Sequence, residues 1–529
     1  MLRLPLLFAL LAALAPFSAA QDVQERHSEV RLYAPDGAPT AHPGAALADR
    51  LAASGLVLDH ARREDTALGP ALRTVLSATE LAQARAAGIE VDVLVEDLRA
   101  HYLATRQGTC QEGRAAVSRI DADLCGAMGG YPTFSAILDL LDALHDAHPE
   151  IVSARTSIGQ SIEGRDLWMV EISDNPGLDE AEPEALYTAL HHAREPGSMM
   201  AVLYFMHYLA EQYGTNPDVT DLVDGRRLFF VPVLNPDGYV YNETTDPGGG
   251  GFWRKNRRNN GGGTYGIDLN RNYGYFWGYD NVGSSPNPWS ETYRGTAPFS
   301  EPETQALRNF LESGRSVRIA LNYHTSGDLL LYPWGYEYDT FTPDEAAFAA
   351  LGDTLTYRNH YTYGQGANTI YKTNGGSDDW MYGEQTTKPK IFSFTPEVGY
   401  AFWPDPYDVY PLADENLEMN LLVAEFAEDF VPVPIEPAGA VPNGVALDLA
   451  GPNPLRDRTT FVLSLPEAQP VRLAVFDLLG REVAVLADGA YASGPHRFPF
   501  DASALAPGAY LVRLDAEAEA VTQRVTVVR

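Results

Sequence analysis

His192, Glu195 and His324 are the residues whose types and spacing most directly imply chemistry. Two unprotonated ring nitrogens and one carboxylate make a three-ligand set that leaves a fourth zinc position open for water. His192 and Glu195 sit in Leu190-His191-His192-Ala193-Arg194-Glu195, just past a run that reads as a buried strand. Of the two adjacent histidines, His192 fits the His-x-x-Glu spacing and His191 does not. His324 closes a second apolar run, Ile319-Ala320-Leu321-Asn322-Tyr323, and Glu397 closes a third, beginning at Phe392. Side chains at the carboxyl ends of strands gather on one edge of an α/β sheet, where ligands bind. A carboxylate there can take a proton from an attacking water and return it to a leaving amine. The pattern points to a hydrolytic metalloenzyme.

Binding a free chain end requires recognition of a carboxylate, which arginine does through a planar two-pronged fork. In an otherwise acidic chain, Arg254, Lys255, Arg257, Arg258 and Arg271 form a local basic island. The series His192-Ala193-Arg194-Glu195, Asn235-Pro236-Asp237-Gly238, Trp253 to Arg257, Asp268-Leu269-Asn270-Arg271-Asn272, His324, Thr369-Ile370-Tyr371 and Glu397 runs through roughly residues 125–430. In content and order it resembles the zinc metallocarboxypeptidases, the funnelin family of A-, B- and T-like enzymes.

The resemblance implies one zinc ion per chain on His192, Glu195 and His324, which activates the attacking water, with Glu397 as general base. It implies that Arg254 polarises the scissile carbonyl and that Asn270 and Arg271 bind the terminal carboxylate of peptide or protein substrates. Tyr371 then closes over the substrate and Arg194 lines the approach. Asp378, in Gly375-Gly376-Ser377-Asp378-Asp379-Trp380, matches the base of the pocket for the departing side chain. A carboxylate there implies a preference for Lys or Arg, alone or within a dual specificity, with Gly366 and Gly375 keeping the pocket wide. Gly335 departs from the polar residue more usual in basic-specific pockets. Pro196 after Glu195 and Thr325-Ser326 after His324 depart from the family in the outer subsites. Two other readings are a cell-wall peptide hydrolase on the same scaffold and a non-catalytic adhesion or binding protein. The Asn270-Arg271 pair weighs against the first, and the complete ligand set with Glu397 against the second.

The elements that must position these residues read as an α/β unit with a mixed central sheet flanked by helices on both faces, over 126–431. Strands are expected at Leu167–Ile172, Leu186–Leu190, Leu228–Leu234, Arg318–Tyr323 and Lys390–Phe394, and a helix at Phe134–His145. Residues 21–125 read as a small α+β module and linker, with a strand at Val30–Tyr33, helices at Ala45–Ala53 and Ser77–Ala87, and an arginine-bearing connection from Arg106 to Arg114 open to proteases. The module resembles, less specifically, the propeptides of the same enzymes, so it is expected to cover the site until cleavage near Arg106 to Arg119. Residues 432–442 are a proline-rich linker, and 443–529 an all-β sandwich with strands around Val471–Phe476 and Gly508–Val512. That tail, with Gly451-Pro452-Asn453-Pro454, resembles the C-terminal sorting domains of the type IX secretion system, which implies outer-membrane secretion machinery as a partner.

The 529 residues, 45% hydrophobic and 21% charged, suit several globular domains. A net charge of −33 excludes nucleic acid as a partner and suits cationic substrates. Residues 1–20 read as a secretory signal, with Arg3, an apolar run to Phe17 and small residues to Ala20. A secreted or cell-surface monomer is expected. Cys110 and Cys125 are the two cysteines, close in sequence and in an oxidising compartment, and are expected to form a disulfide.

Overall fold

The computed structural model describes residues 25–33, 43–67, 69–428, 445–450, 458–477, 481–491, 494–503, 505, 508–516 and 520–527. The signal segment 1–20, the linker 432–442 and Gly451 to Pro454 lie outside the described residues.

The large unit is built on an eight-stranded mixed sheet. Its strands run, edge to edge, Thr362–Gln365, Leu329–Tyr332, Phe392–Glu397, Val317–Tyr323, Glu184–Ala189, Arg227–Val231, Asp166–Ile172 and Thr156–Gln160. The four from Phe392–Glu397 to Arg227–Val231 pair in parallel, and their carboxyl ends share one edge. Each is buried almost throughout because both faces are covered. Tyr187 and Phe230 point into one core, beside Phe205 of the helix Pro196–Gln212. Leu186, Phe229 and Val231 point into the other, against Leu307 and Phe310 of the helix Pro302–Leu311. The expected strands are all present. The strands Thr156–Gln160, Leu329–Tyr332 and Thr362–Gln365 at the margins were not anticipated.

The leading module is a four-stranded antiparallel sheet, ordered Ala61–Thr66, Gly69–Ser77, His27–Tyr33, Glu90–Val95, with the helices Pro43–Ala53 and Ala78–Ala86. Ser77 and Glu80 form a reciprocal cap that starts the second helix. The module's core, around Val30, Leu47 and Leu72, extends into the large unit through Tyr371.

The expected linker from Arg106 to Arg114 needs correction. Cys110–Val117 is a helix, started by the capping box of Thr109 and Glu112. Gly113 lies so close to the Tyr407 carbonyl that a Cβ there would overlap it. Cys110, Ile120 and Leu124 are buried in the core of the large unit, so in packing that unit begins well before the expected boundary at 125. The tail forms two antiparallel sheets, of three and four strands, around Phe461, Leu473, Val512 and Val525.

Candidate active site

The strand Glu184–Ala189 ends in a sharp reversal at Leu190, whose φ is 53°. The turn that follows carries His192 and Glu195, and Pro196 then starts a helix. His324 follows the strand Val317–Tyr323, and its backbone pairs with the strand ending at Glu397: its N–H donates to the Pro396 carbonyl at 2.8 Å. Three strand ends therefore deliver the ligand candidates and Glu397 to one place.

Nδ1 of His324 lies 3.0 Å from Nδ1 of His192 and 2.8 Å from Oε2 of Glu195. Nδ1 of His192 lies 2.9 Å from Oε1 of Glu195. All three residues are buried. Two ring nitrogens facing each other so closely cannot both carry hydrogens, and burial, then the charge of His192, lowers the His324 pKa to about 4. Two nitrogen lone pairs and a carboxylate converging on one point fit the donor set of zinc. His191 turns away and pairs through Nε2 with the Tyr273 hydroxyl at 2.9 Å.

Asp268 belongs to one of the sequence motifs but had no role assigned to it there. One of its oxygens lies 3.1 Å from Nε2 of His192, and the other accepts from Nε and Nη2 of Arg254 at 3.1 and 2.9 Å. A carboxylate on the far nitrogen of a ligand histidine fixes the ring's tautomer and orientation. Its position in Asp268-Leu269-Asn270-Arg271, beside a histidine needing such a partner, was the available signal. Arg254 is buried, with Nη1 3.6 Å from Glu195. Burial opposes its charge, but Asp268 and Asp59 hold its pKa above the usual value.

A recess of about 70 Å³ beside the cluster is lined by Arg271, Tyr371, Asp378 and Glu397 among others. Asn270 accepts the Ser377 N–H at 2.8 Å and places its amide nitrogen 3.2 Å from Nε2 of His324. Arg271 donates to the Asn270 carbonyl at 2.8 Å, while its Nε is buried without a partner among the described residues. Oε2 of Glu397 is likewise buried and unpartnered. Burial and then the Glu195 charge push the Glu397 pKa well above the carboxylate range, against Arg254 and Arg271. The remaining members of the basic island serve structure: Arg257 stacks on Tyr241 at 3.7 Å, Arg258 pairs with Glu301 at 2.7 Å, and Lys255 is buried on the Ser290 carbonyl at 2.8 Å.

Asp378 lies in the first turn of the helix Ser377–Gly383, yet points inward, accepting from Asn322, Ser393 and Thr395 at 2.7, 2.6 and 2.6 Å. Burial raises its pKa. Gly366 lines the recess, but Gly375 does not. Gly375 has a φ of +72°, and a Cβ there would sit 2.5 Å from the Arg271 carbonyl oxygen. It serves a tight backbone crossing instead of pocket width.

The leading module supplies Asp59 and His60 to the same recess. Asp59 accepts from Nη2 of Arg194 at 2.8 Å, both buried, and Arg194 also lies over the Phe402 ring. No sequence signal marked Asp59, since nothing in the module's pattern says which turn meets the large unit.

A family profile described as zinc carboxypeptidase matches residues 137–419. The chain belongs to the zinc carboxypeptidase family. A second profile, described as a secretion system C-terminal sorting domain, matches residues 451–528 and makes this a secreted or cell-surface protein. Among curated relatives, a zinc carboxypeptidase of Saccharothrix mutabilis subsp. capreolus is 33% identical over 277 residues, 51% of this chain and 62% of that protein. Carboxypeptidase B of Astacus astacus is 32% identical over 311 residues, 56% of this chain and 97% of that protein. In fold the chain is similar to the crystal structure of carboxypeptidase A from Helicoverpa armigera, with a TM-score of 0.60 at 23% identity, covering 77% of this chain and 98% of that one. No helix among the described residues is long and apolar enough to cross a membrane.

Proposed function

We propose that this chain is a zinc-dependent metallocarboxypeptidase that hydrolyses the last peptide bond of its substrates and prefers Lys or Arg at the chain end. The observation that carries the reading is the meeting of the His192 and His324 Nδ1 atoms and the Glu195 carboxylate within about 3 Å of one another, beside Arg254 and Arg271. One zinc ion per chain bound there supplies Lewis acidity and lowers the pKa of water.

The chain's own residues do the rest. Asn270 and Arg271, both of which line the recess, bind the substrate's terminal carboxylate. Arg254, oriented by Asp268, stabilises negative charge developing on the scissile carbonyl oxygen. Glu397 takes the proton of the attacking water and passes it to the leaving amine. Tyr371 closes over the bound end. Asp378 sits at the base of the pocket, where its carboxylate suits a cationic side chain. The leading module covers the site as a propeptide, supported by Asp59 on Arg194 and by Tyr371 packed into the module's core. The tail engages the outer-membrane secretion machinery, and the protein works as a monomer.

A panel of peptides differing in the last residue, offered to the chain freed of its leading module, tests the specificity. Release of Lys and Arg ahead of Phe is expected. Release of Phe but not Lys would overturn the role of Asp378.

A further inference from the structure

We propose that the cavity between the leading module and the large unit is a binding site for a small organic cation, an ammonium or guanidinium group on an apolar stem, and that its occupant bridges the two units. The proposal goes beyond the peptidase reading and stands whether or not the module acts as a cover.

The cavity measures about 550 Å³, against about 70 Å³ for the catalytic recess, and the two share no lining residue. Pockets that take small molecules hold roughly 300–1,000 Å³. The module contributes the start of its helix Ala78–Ala86, with Ser77, Glu80 and Gln83, and the large unit contributes the stretch from Asn287 to Glu291. Aromatic residues complete the lining: Tyr241, Phe252, Trp253, Tyr265 and Trp289.

This aromatic surface already takes a cation. The Arg257 guanidinium lies over three of the rings, 3.7 Å from Tyr241, 4.3 Å from Trp253 and 5.0 Å from Tyr265. Trp289 is still open. It is 71% exposed, and no ring or cation among the described residues is stacked on it. Tryptophan is the ring that attracts cations most strongly.

The charges choose the sign of the occupant. Glu25, Glu80 and Glu291 all line the cavity. The basic groups beside them are otherwise engaged or uncharged. Arg257 is held on its rings, and Nζ of Lys255 donates to the Ser290 and Pro288 carbonyls at 2.8 and 3.4 Å. Burial keeps His27 neutral, its pKa lowered to about 4. Glu80 caps its helix by accepting the Ser77 N–H at 2.9 Å. Burial, then the like charges of Asp59 and Glu291, push its carboxyl above the usual carboxylate range, against the Ser77 bonds. A carboxyl group raised by burial and like charge lacks a counter-ion. A cation between Glu80 and Glu291 supplies it. Because Glu80 belongs to the module and Glu291 to the large unit, an occupant that touches both favours the docked state by mass action.

Titration of the full chain with choline, followed by tryptophan fluorescence and calorimetry, tests this, with 3,3-dimethylbutanol as the uncharged molecule of the same shape. Expected are saturable binding of one choline per chain and binding of the neutral analogue weaker by about 10-fold or more. Equal affinities, or no saturable binding of choline, would overturn the site. Trp289→Ala and Glu291→Gln, both outside the catalytic recess, should each weaken choline by about 5-fold or more. Asp378→Asn, which alters the recess, should leave choline affinity unchanged. The opposite pattern would place the cation in the recess and contradict the proposal. Saturating choline should raise the Tm of the full chain and leave that of the chain freed of its module unchanged; equal shifts contradict the bridging. Failure to release a terminal Lys, with choline bound as expected, would refute the peptidase reading and leave this site standing.

Discussion

Asp59 of the leading module and Arg194 of the large unit form a buried ion pair at 2.8 Å, Arg194 being the chain neighbour of the candidate zinc ligand Glu195. The pair joins two units where the substrate would enter. Replacing Asp59 with Asn leaves Arg194 buried without a counter-charge, a loss of about 3–5 kcal/mol for a buried pair. The untrimmed Asp59→Asn chain should show peptidase activity at least 10-fold above untrimmed wild type. Equal activities on a chromogenic peptide would count against the module as a cover.

Acid should loosen the same interface. His27 stacks on Phe252 at 4.5 Å, and His60 meets Phe402 edge-on at 4.7 Å. Burial first, then the Arg194 charge, lowers each pKa from 6.5 to about 4. Below pH 6.5 the docked module therefore binds fewer protons than the undocked one. The docking stability from these rings is complete above pH 6.5 and is lost as pH falls toward 4. Affinity of the separated module for the trimmed enzyme should fall at least 10-fold between pH 7.5 and 5; affinity constant over that range would contradict it.

Much of this was legible in sequence because burial writes itself into composition. The strands that lead to His192 and His324 read as largely apolar runs because both faces are covered. The strand Ala61–Thr66 was illegible: Arg62, Arg63, Glu64 and Asp65 show no apolar alternation, and this edge strand is held by backbone pairing and by Glu64 between Arg31 and Arg73. The helix Cys110–Val117 hid in polar composition because its cap and its contact with Tyr407 decide it. Asp268 acts through His192 and Arg254, so its place shows only once the chain is folded.

Asp378 should govern preference. In Asp378→Asn the bonds from Ser393 and Thr395 can persist while the charge is removed. Loss of a buried counter-charge costs about 2–3 kcal/mol, so kcat/KM for terminal Lys should fall roughly 100-fold, with terminal Phe changed less than 3-fold. Equal losses on both substrates would place Asp378 in structure and not in selection.

Glu397→Gln removes the base and keeps the shape. General-base catalysis contributes about 100-fold or more, so kcat should fall at least that far while zinc content, read by atomic absorption, stays at the wild-type level. Loss of zinc in this variant would make Glu397 a ligand.

The proposed chemistry depends on a cation bound by His192, Glu195 and His324. Metal content and release of a terminal Lys, measured on one trimmed preparation before chelation, after it, and after zinc is restored, test this most directly. We expect one zinc per chain, loss of at least 100-fold in rate on removal, recovery on re-addition, and no zinc retained by His324→Ala. Undiminished lysine release from metal-free protein would contradict the account.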